Sequence, residues 1–110
     1  YKLGNEVAAN HEEEWIIPFN GRIVDVIIDA ETAPAGSSSI YDVNINGTTI
    51  YTTQGNRPTL AADDTGYYSE SGEPEVTALR VGDILSYDCD QIGSGTAATR
   101  VKVCIVVQAL

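Results

Sequence analysis

Carboxylates are the groups best placed to do chemistry in this chain. Asp88 and Asp90 flank Cys89, and in an extended strand that spacing aims both side chains at one face. Glu12-Glu13-Glu14 and Asp63-Asp64 form two further acidic clusters. Paired carboxylates exchange protons with a substrate or hold a hard cation when a pocket converges on them. Otherwise they are a solvated acidic surface, the plainer reading here, with a weak divalent-cation site as the other. The run Asp42-Val43-Asn44-Ile45-Asn46-Gly47 fits the opening D-x-N-x-N-G of a calcium-binding EF-hand loop. Its twelfth position should be a bidentate glutamate and is Thr53, and its flanks read as strands rather than helices. Asn46 and Gly47 are therefore expected to form a structural turn. No metal ligand set and no cofactor is expected.

Nucleophilic catalysis finds no support. His11 is the single histidine, it sits beside glutamates, and no Gly-x-Ser-x-Gly elbow exists. The chain is expected not to be an enzyme. Tyr67 and Tyr68 lie in a loop-rich segment and are candidate glycan-facing aromatics; in a strand, neighbours point to opposite faces, leaving one exposed. Cys89 and Cys104 fall in the last two strand candidates, expected to be antiparallel neighbours. The register between them is not readable, so a cross-strand disulfide and free buried thiols both stand, with free thiols expected.

The elements that must hold these groups are strands almost throughout. Val and Ile outnumber Leu several-fold and Thr is abundant, a bias that favours a pleated surface over helices. Only Asn5–Glu14 invites a helical reading, and its glutamates lack basic partners four residues on. Arg22–Ala30 alternates, with Val24, Val26, Ile28 and Ala30 on one face and Ile23, Asp25, Ile27 and Asp29 on the other. The clearest hairpin is Ile40–Ile45, Asn46-Gly47, Thr48–Thr53, because Asn-Gly accepts the positive φ of a type I′ turn. It pairs Ile45 with Thr48, Val43 with Ile50 and Tyr41 with Thr52, and puts Asp42, Asn44, Thr49 and Tyr51 on the polar face. Shorter strands are expected at Trp15–Ile17, Thr59–Ala62, Tyr67–Ser69 and Val76–Leu79, then longer ones at Ile84–Ile92 and Arg100–Ala109. About eight short strands separated by turn signals predict an all-β fold, an antiparallel jelly-roll-like β-sandwich. The last strand carries Val101, Val103, Ile105 and Val107 on one face and Cys104 and Val106 on the other. Apolar on both faces, it predicts a cover on its outer side, most economically a second copy.

At 110 residues the chain is one domain's length, divided here into an N-terminal arm at 1–14 and a sandwich domain at 15–110. Sixteen acidic against six basic side chains give a formal charge of −10. Scattered cations on so acidic a chain exclude a nucleic-acid surface. No apolar run is long enough to cross a membrane, and no export signal is visible.

Several separated segments occur in a recognisable order: Ala33-Pro34-Ala35-Gly36-Ser37, Tyr41-Asp42-Val43-Asn44-Ile45-Asn46-Gly47-Thr48-Thr49-Ile50-Tyr51, Gln54-Gly55-Asn56-Arg57-Pro58, Leu79-Arg80-Val81-Gly82-Asp83 and Asp90-Gln91-Ile92-Gly93-Ser94. This pattern resembles a β-sandwich module recurring in structural proteins of tailed bacteriophages. It extends from about Pro18 to the C-terminus and leaves Tyr1–Glu14 outside; Ala35 stands where the family often has Thr. The resemblance implies a virion structural protein, commonly a homotrimer. A chain of this size without a rod-forming repeat suits a head decoration (cement) protein, which binds the major capsid protein on the capsid surface after synthesis in the host cytoplasm. His11, Glu12, Glu13, Glu14 and Trp15 would then belong to the contact arm. The alternative is a receptor- or glycan-binding module of a tail or head fibre. No ligand or catalytic residue carries over, because the matching residues are turns and strand ends.

Overall fold

The computed structural model describes residues 12–62, 68–70, 72–98 and 101–110. They form nine strands and a single 3₁₀ turn at Gln54–Asn56, with every ladder antiparallel. No described helix is long and apolar enough to cross a membrane. One sheet orders β1 (Glu12–Ile16), β8 (Ile84–Gln91), β3 (Ser39–Ile45) and β4 (Thr48–Thr49), with β5 (Thr59–Leu60) also on β3. The second is built on β2 (Gly21–Asp29). Here β9 (Lys102–Ala109) runs the whole length of β2, so β6 (Tyr68–Glu70) and β7 (Ala78–Leu79) share the opposite edge.

The inward faces of the two sheets enclose one core. Val26 and Ile28 of β2 and Val103 and Ile105 of β9 come from one side, and Tyr41, Val43, Leu85, Tyr87 and Cys89 from the other. Ile17, Ile50, Tyr51 and Val101, all fully buried, close its ends. The Tyr41 and Tyr87 rings lie 6.5 Å apart at 35°, within the range in which tilted aromatic pairs attract beyond their area burial.

Several expectations change. A β-bulge between Ile23 and Asp25 inserts Val24 as an extra residue, which reverses the facing of what precedes it. Ile23 is therefore core and Val24 exposed, the opposite of strict alternation. The hairpin forms with Ile45 opposite Thr48, and Asn46 and Gly47 take φ of 52° and 82°. It holds through Val43, whose carbonyl accepts the Ile50 N–H at 2.9 Å. It ends there, because Ile50 and Tyr51 both turn into the core, and β5 rather than Thr52 lies beside the start of β3. Tyr51 is thus a core residue and not part of a polar face.

Cys89 and Cys104 are not neighbours, since β8 and β9 belong to different sheets. Cys89 points into the core, Cys104 is half-buried on β9, and neither is in a disulfide. The boundary expected at residue 14 falls inside β1, which pairs with β8 from Glu12↔Asp88 to Ile16↔Ile84. Glu12, Glu13, Glu14 and Trp15 are sheet residues; His11 and Tyr67 lie outside the described residues, as do Asp63 and Asp64.

Candidate functional site

Register creates the site. The β3–β8 ladder sets Asp42 opposite Asp88 and Asn44 opposite Ser86, and the β1–β8 ladder sets Glu14 opposite Ser86. Asp42, Asp88 and Asp90 each bring a carboxylate oxygen within 4.8 Å of the others. The expected common facing of Asp88 and Asp90 is observed. Asp42 joins them although no sequence spacing reports it, because cross-strand partners are fixed by register alone.

Each member is held differently. Asp42 is only 7% exposed; its Oδ1 accepts the Thr49 hydroxyl at 2.7 Å and the Val43 N–H at 2.8 Å. Thr49 is there because the tight Asn46-Gly47 turn returns β4 alongside β3. Asp90 accepts Arg57 Nη1 at 2.7 Å. Arg57 in turn is fixed by its own Nε, which donates to the Gln54 carbonyl at 2.9 Å. Asp88 also lines a shallow cleft of about 460 Å³ with Glu14, Asn44, Asn46, Gly47, Ile84 and Ser86.

Burial pushes the Asp42 carboxyl above the ordinary aspartate value of 3.8. The Asp90 charge adds to that, while the Thr49 and Val43 donors and Arg57 pull the other way. Asp83, across the hairpin, moves down instead, held by the Arg80 N–H and by the Asn46 side chain. The donors of the Asp42–Asp88–Asp90 cluster are all hard oxygens, the kind that suit a calcium- or magnesium-like cation or the cationic side chains of a partner. Arg57 already neutralises one carboxylate. Among the described residues, histidine contributes nothing to this face.

The shifted Asp42 makes a prediction. An aspartate whose folded-state pKa is raised loses stability as pH rises through the window from 3.8 to its folded value. Asp42→Asn keeps an oxygen for Thr49 and Val43 and removes a charge directly opposite Asp88. Like charges in a cross-strand pair cost up to about 1 kcal/mol. The variant is expected to gain roughly that much at pH 7, with the gain shrinking as pH falls towards 3.8. Urea melts at pH 7 and pH 4 measure it; an equal gain at both would show that charge is not the cause.

The turn residues Asn46 and Gly47 sit where the sequence put them. Asn46 also makes a cross-link that the sequence did not reveal. Its Nδ2 donates to Asp83 Oδ1 at 3.0 Å and its Oδ1 accepts the Ile84 N–H at 2.9 Å. Tyr68 opens β6. Comparison with family models, with curated proteins and with solved structures finds no match for this chain.

Proposed function

We propose that this chain is a structural protein of a tailed-bacteriophage virion, a head decoration (cement) protein that binds the outer capsid as a trimer and stabilises it without catalysis. The observation that carries the reading is how the segments of the resemblance meet in space. Asn46 of the Asn-Gly turn bonds Asp83 of the Gly-Asp turn at 3.0 Å. Arg57 of Asn-Arg-Pro pairs with Asp90 of Asp-Gln-x-Gly-Ser at 2.7 Å. Ala35 of Ala-Pro-Ala-Gly accepts the Gly95 N–H at 2.8 Å, and the Ser94 N–H donates to Ser37 Oγ at 3.0 Å. Segments far apart in sequence are thus one another's partners, which supports reading them together as one module. On this reading the two sheets are a jelly-roll-like sandwich, His11, Glu12, Glu13, Glu14 and Trp15 belong to the capsid contact, and the acidic face takes basic side chains of the major capsid protein.

Such a protein acts by mass action: a ligand bound only to the assembled shell at 100 times its Kd adds about 2.7 kcal/mol per site. Co-sedimentation of the purified chain with undecorated phage capsids, followed by heating, tests this. Saturable binding and a higher shell-disruption temperature are expected; bare shells at saturating protein would overturn the proposal. One observation favours the fibre-module alternative: the cleft beside Asp88 is lined by carboxylates and amides, groups that hydrogen-bond sugar hydroxyls. Glycan-array binding lost in Asn44→Ala, without capsid binding, would select it.

A further inference from the structure

We propose that Asn46 is a deamidation site that the fold holds closed, and that Asp83 is the residue that keeps it closed. The proposal stands apart from the decoration reading. Asn46 and Gly47 are both exposed, and the space where a side chain on Gly47 would lie is open, so nothing shields the pair from water. In the reaction the Gly47 main-chain nitrogen attacks Asn46 Cγ. An N–Cγ bond forms, the Cγ–Nδ2 bond breaks, and Nδ2 leaves as ammonia with the former Gly47 amide proton. Water then opens the cyclic imide. Addition at Cγ gives aspartate; addition at the main-chain carbonyl gives isoaspartate, with the chain rerouted through Cβ and Cγ.

Two features of the fold oppose the first step. The turn itself is one: Asn46 and Gly47 have φ of 52° and 82° between the paired residues Ile45 and Thr48, the type I′ geometry. That backbone sets Cβ of the first turn residue and the following nitrogen on opposite sides of the Cα–C bond. Ring closure needs them on the same side. The other feature is a clamp. Asn46 Nδ2 donates to Asp83 Oδ1 at 3.0 Å, and Asn46 Oδ1 accepts the Ile84 N–H at 2.9 Å. The Asn46 N–H donates to the Ile84 carbonyl at 2.8 Å. Asp83 is fixed in turn, for its Oδ2 accepts the Arg80 N–H at 2.8 Å. The amide that must swing towards Gly47 is thus held at both its polar atoms by a second turn. Conversion would reach the acidic face. A carboxylate at position 46 cannot donate to Asp83 and sets like charge against it. Isoaspartate adds a main-chain atom to a two-residue turn, which undoes the pairing of Ile45 with Thr48 and of Asn44 with Thr49. Thr49 is the hydroxyl that donates to Asp42 Oδ1 at 2.7 Å, so the cluster loses a donor.

Peptide mass mapping of the full-length protein held in warm, mildly alkaline buffer tests the proposal, by following the replacement of NH2 by OH at Asn46. Atoms kept out of near-attack geometry lose on the order of a hundredfold in rate, so folded wild type is expected to convert that much more slowly than the same chain in urea. Asp83→Ala, checked as folded by circular dichroism, releases the clamp but keeps the turn and is expected to convert roughly tenfold faster than folded wild type. Asp83→Asn retains a carbonyl oxygen for Asn46 Nδ2 and is expected to restore the slow rate. The chain's other Asn-Gly pair, Asn20-Gly21, is read in the same digest; its Asn20 Oδ1 accepts the Val81 N–H at 3.1 Å. Folded wild type converting at the urea rate overturns the proposal. So does Asp83→Ala converting no faster than wild type, or speeding Asn20 as much as Asn46, which would be general loosening and not release of a clamp.

Discussion

Tyr41→Ala is expected to lower the unfolding free energy by roughly 3–5 kcal/mol, the cost of deleting a buried aromatic ring. The ring is fully buried and lies 6.5 Å from that of Tyr87. It sits on the inward face of β3, beside Val43 and opposite Cys89. Val43 and Tyr87 of the same core are β-branched and aromatic and are fixed on the β3–β8 ladder, and stiff surroundings collapse poorly into a cavity. Domains of this size are commonly stable by only about 5–15 kcal/mol, so the variant should be largely unfolded on modest warming. Urea unfolding followed by tyrosine and tryptophan fluorescence checks it. A loss below about 1.5 kcal/mol would mean that the core relaxes around the gap, and that the tyrosine pair adds little to the sheet that β3 and β8 share.

Gly21→Ala is expected to cost about 2–3 kcal/mol, the range for a side chain forced into filled space. Gly21 opens β2 opposite Ala109 of β9. A Cβ there would run into the main-chain carbonyl of Gln108 and come within 3.0 Å of the Phe19 ring. The ring can swing away, but the carbonyl cannot without opening the ladder. Gly47 makes the informative contrast. It has open space around the same added atom but a φ of 82°, so Gly47→Ala is penalised by conformation alone, about 1–2 kcal/mol. Thermal melts of both variants separate steric from conformational cost. If Gly21→Ala melts with wild type, the β2–β9 ladder end is looser than its geometry implies.

Much of the fold was legible because period-two patterns and turn residues are local. The Asn46-Gly47 turn, the strand at Ile84–Gln91 and the strand at Lys102–Ala109 all follow from neighbours in sequence. What escaped was non-local. The two faces of Arg22–Ala30 needed the bulge at Val24, which no residue type announces. Cys89 and Cys104 were assigned to adjacent strands because sequential strands usually pair, yet the chain crosses between sheets from β8 to β9 by way of the Ala35–Thr96 bridge. The acidic cluster was half visible. Asp88 and Asp90 share a face by spacing, whereas Asp42 and Arg57 arrive through the β3–β8 register and the Gln54–Asn56 turn. Tyr51 was misplaced because strand alternation was extended past the point where two successive side chains turn inward.

The ladder that joins Gly21 to Ala109 has a consequence for biosynthesis. A nascent chain emerging from the ribosome displays β2 early, with Val26 and Ile28 uncovered, and its full-length partner β9 follows only after β3 to β8 have been made. Closing so long a loop is slow, so β2 waits for its partner while every strand between them is made. Any product truncated before β9 lacks Val103 and Ile105 and leaves one side of the core half open. Such fragments would present uncovered apolar strand to proteases, and synthesis itself would screen the copies that persist.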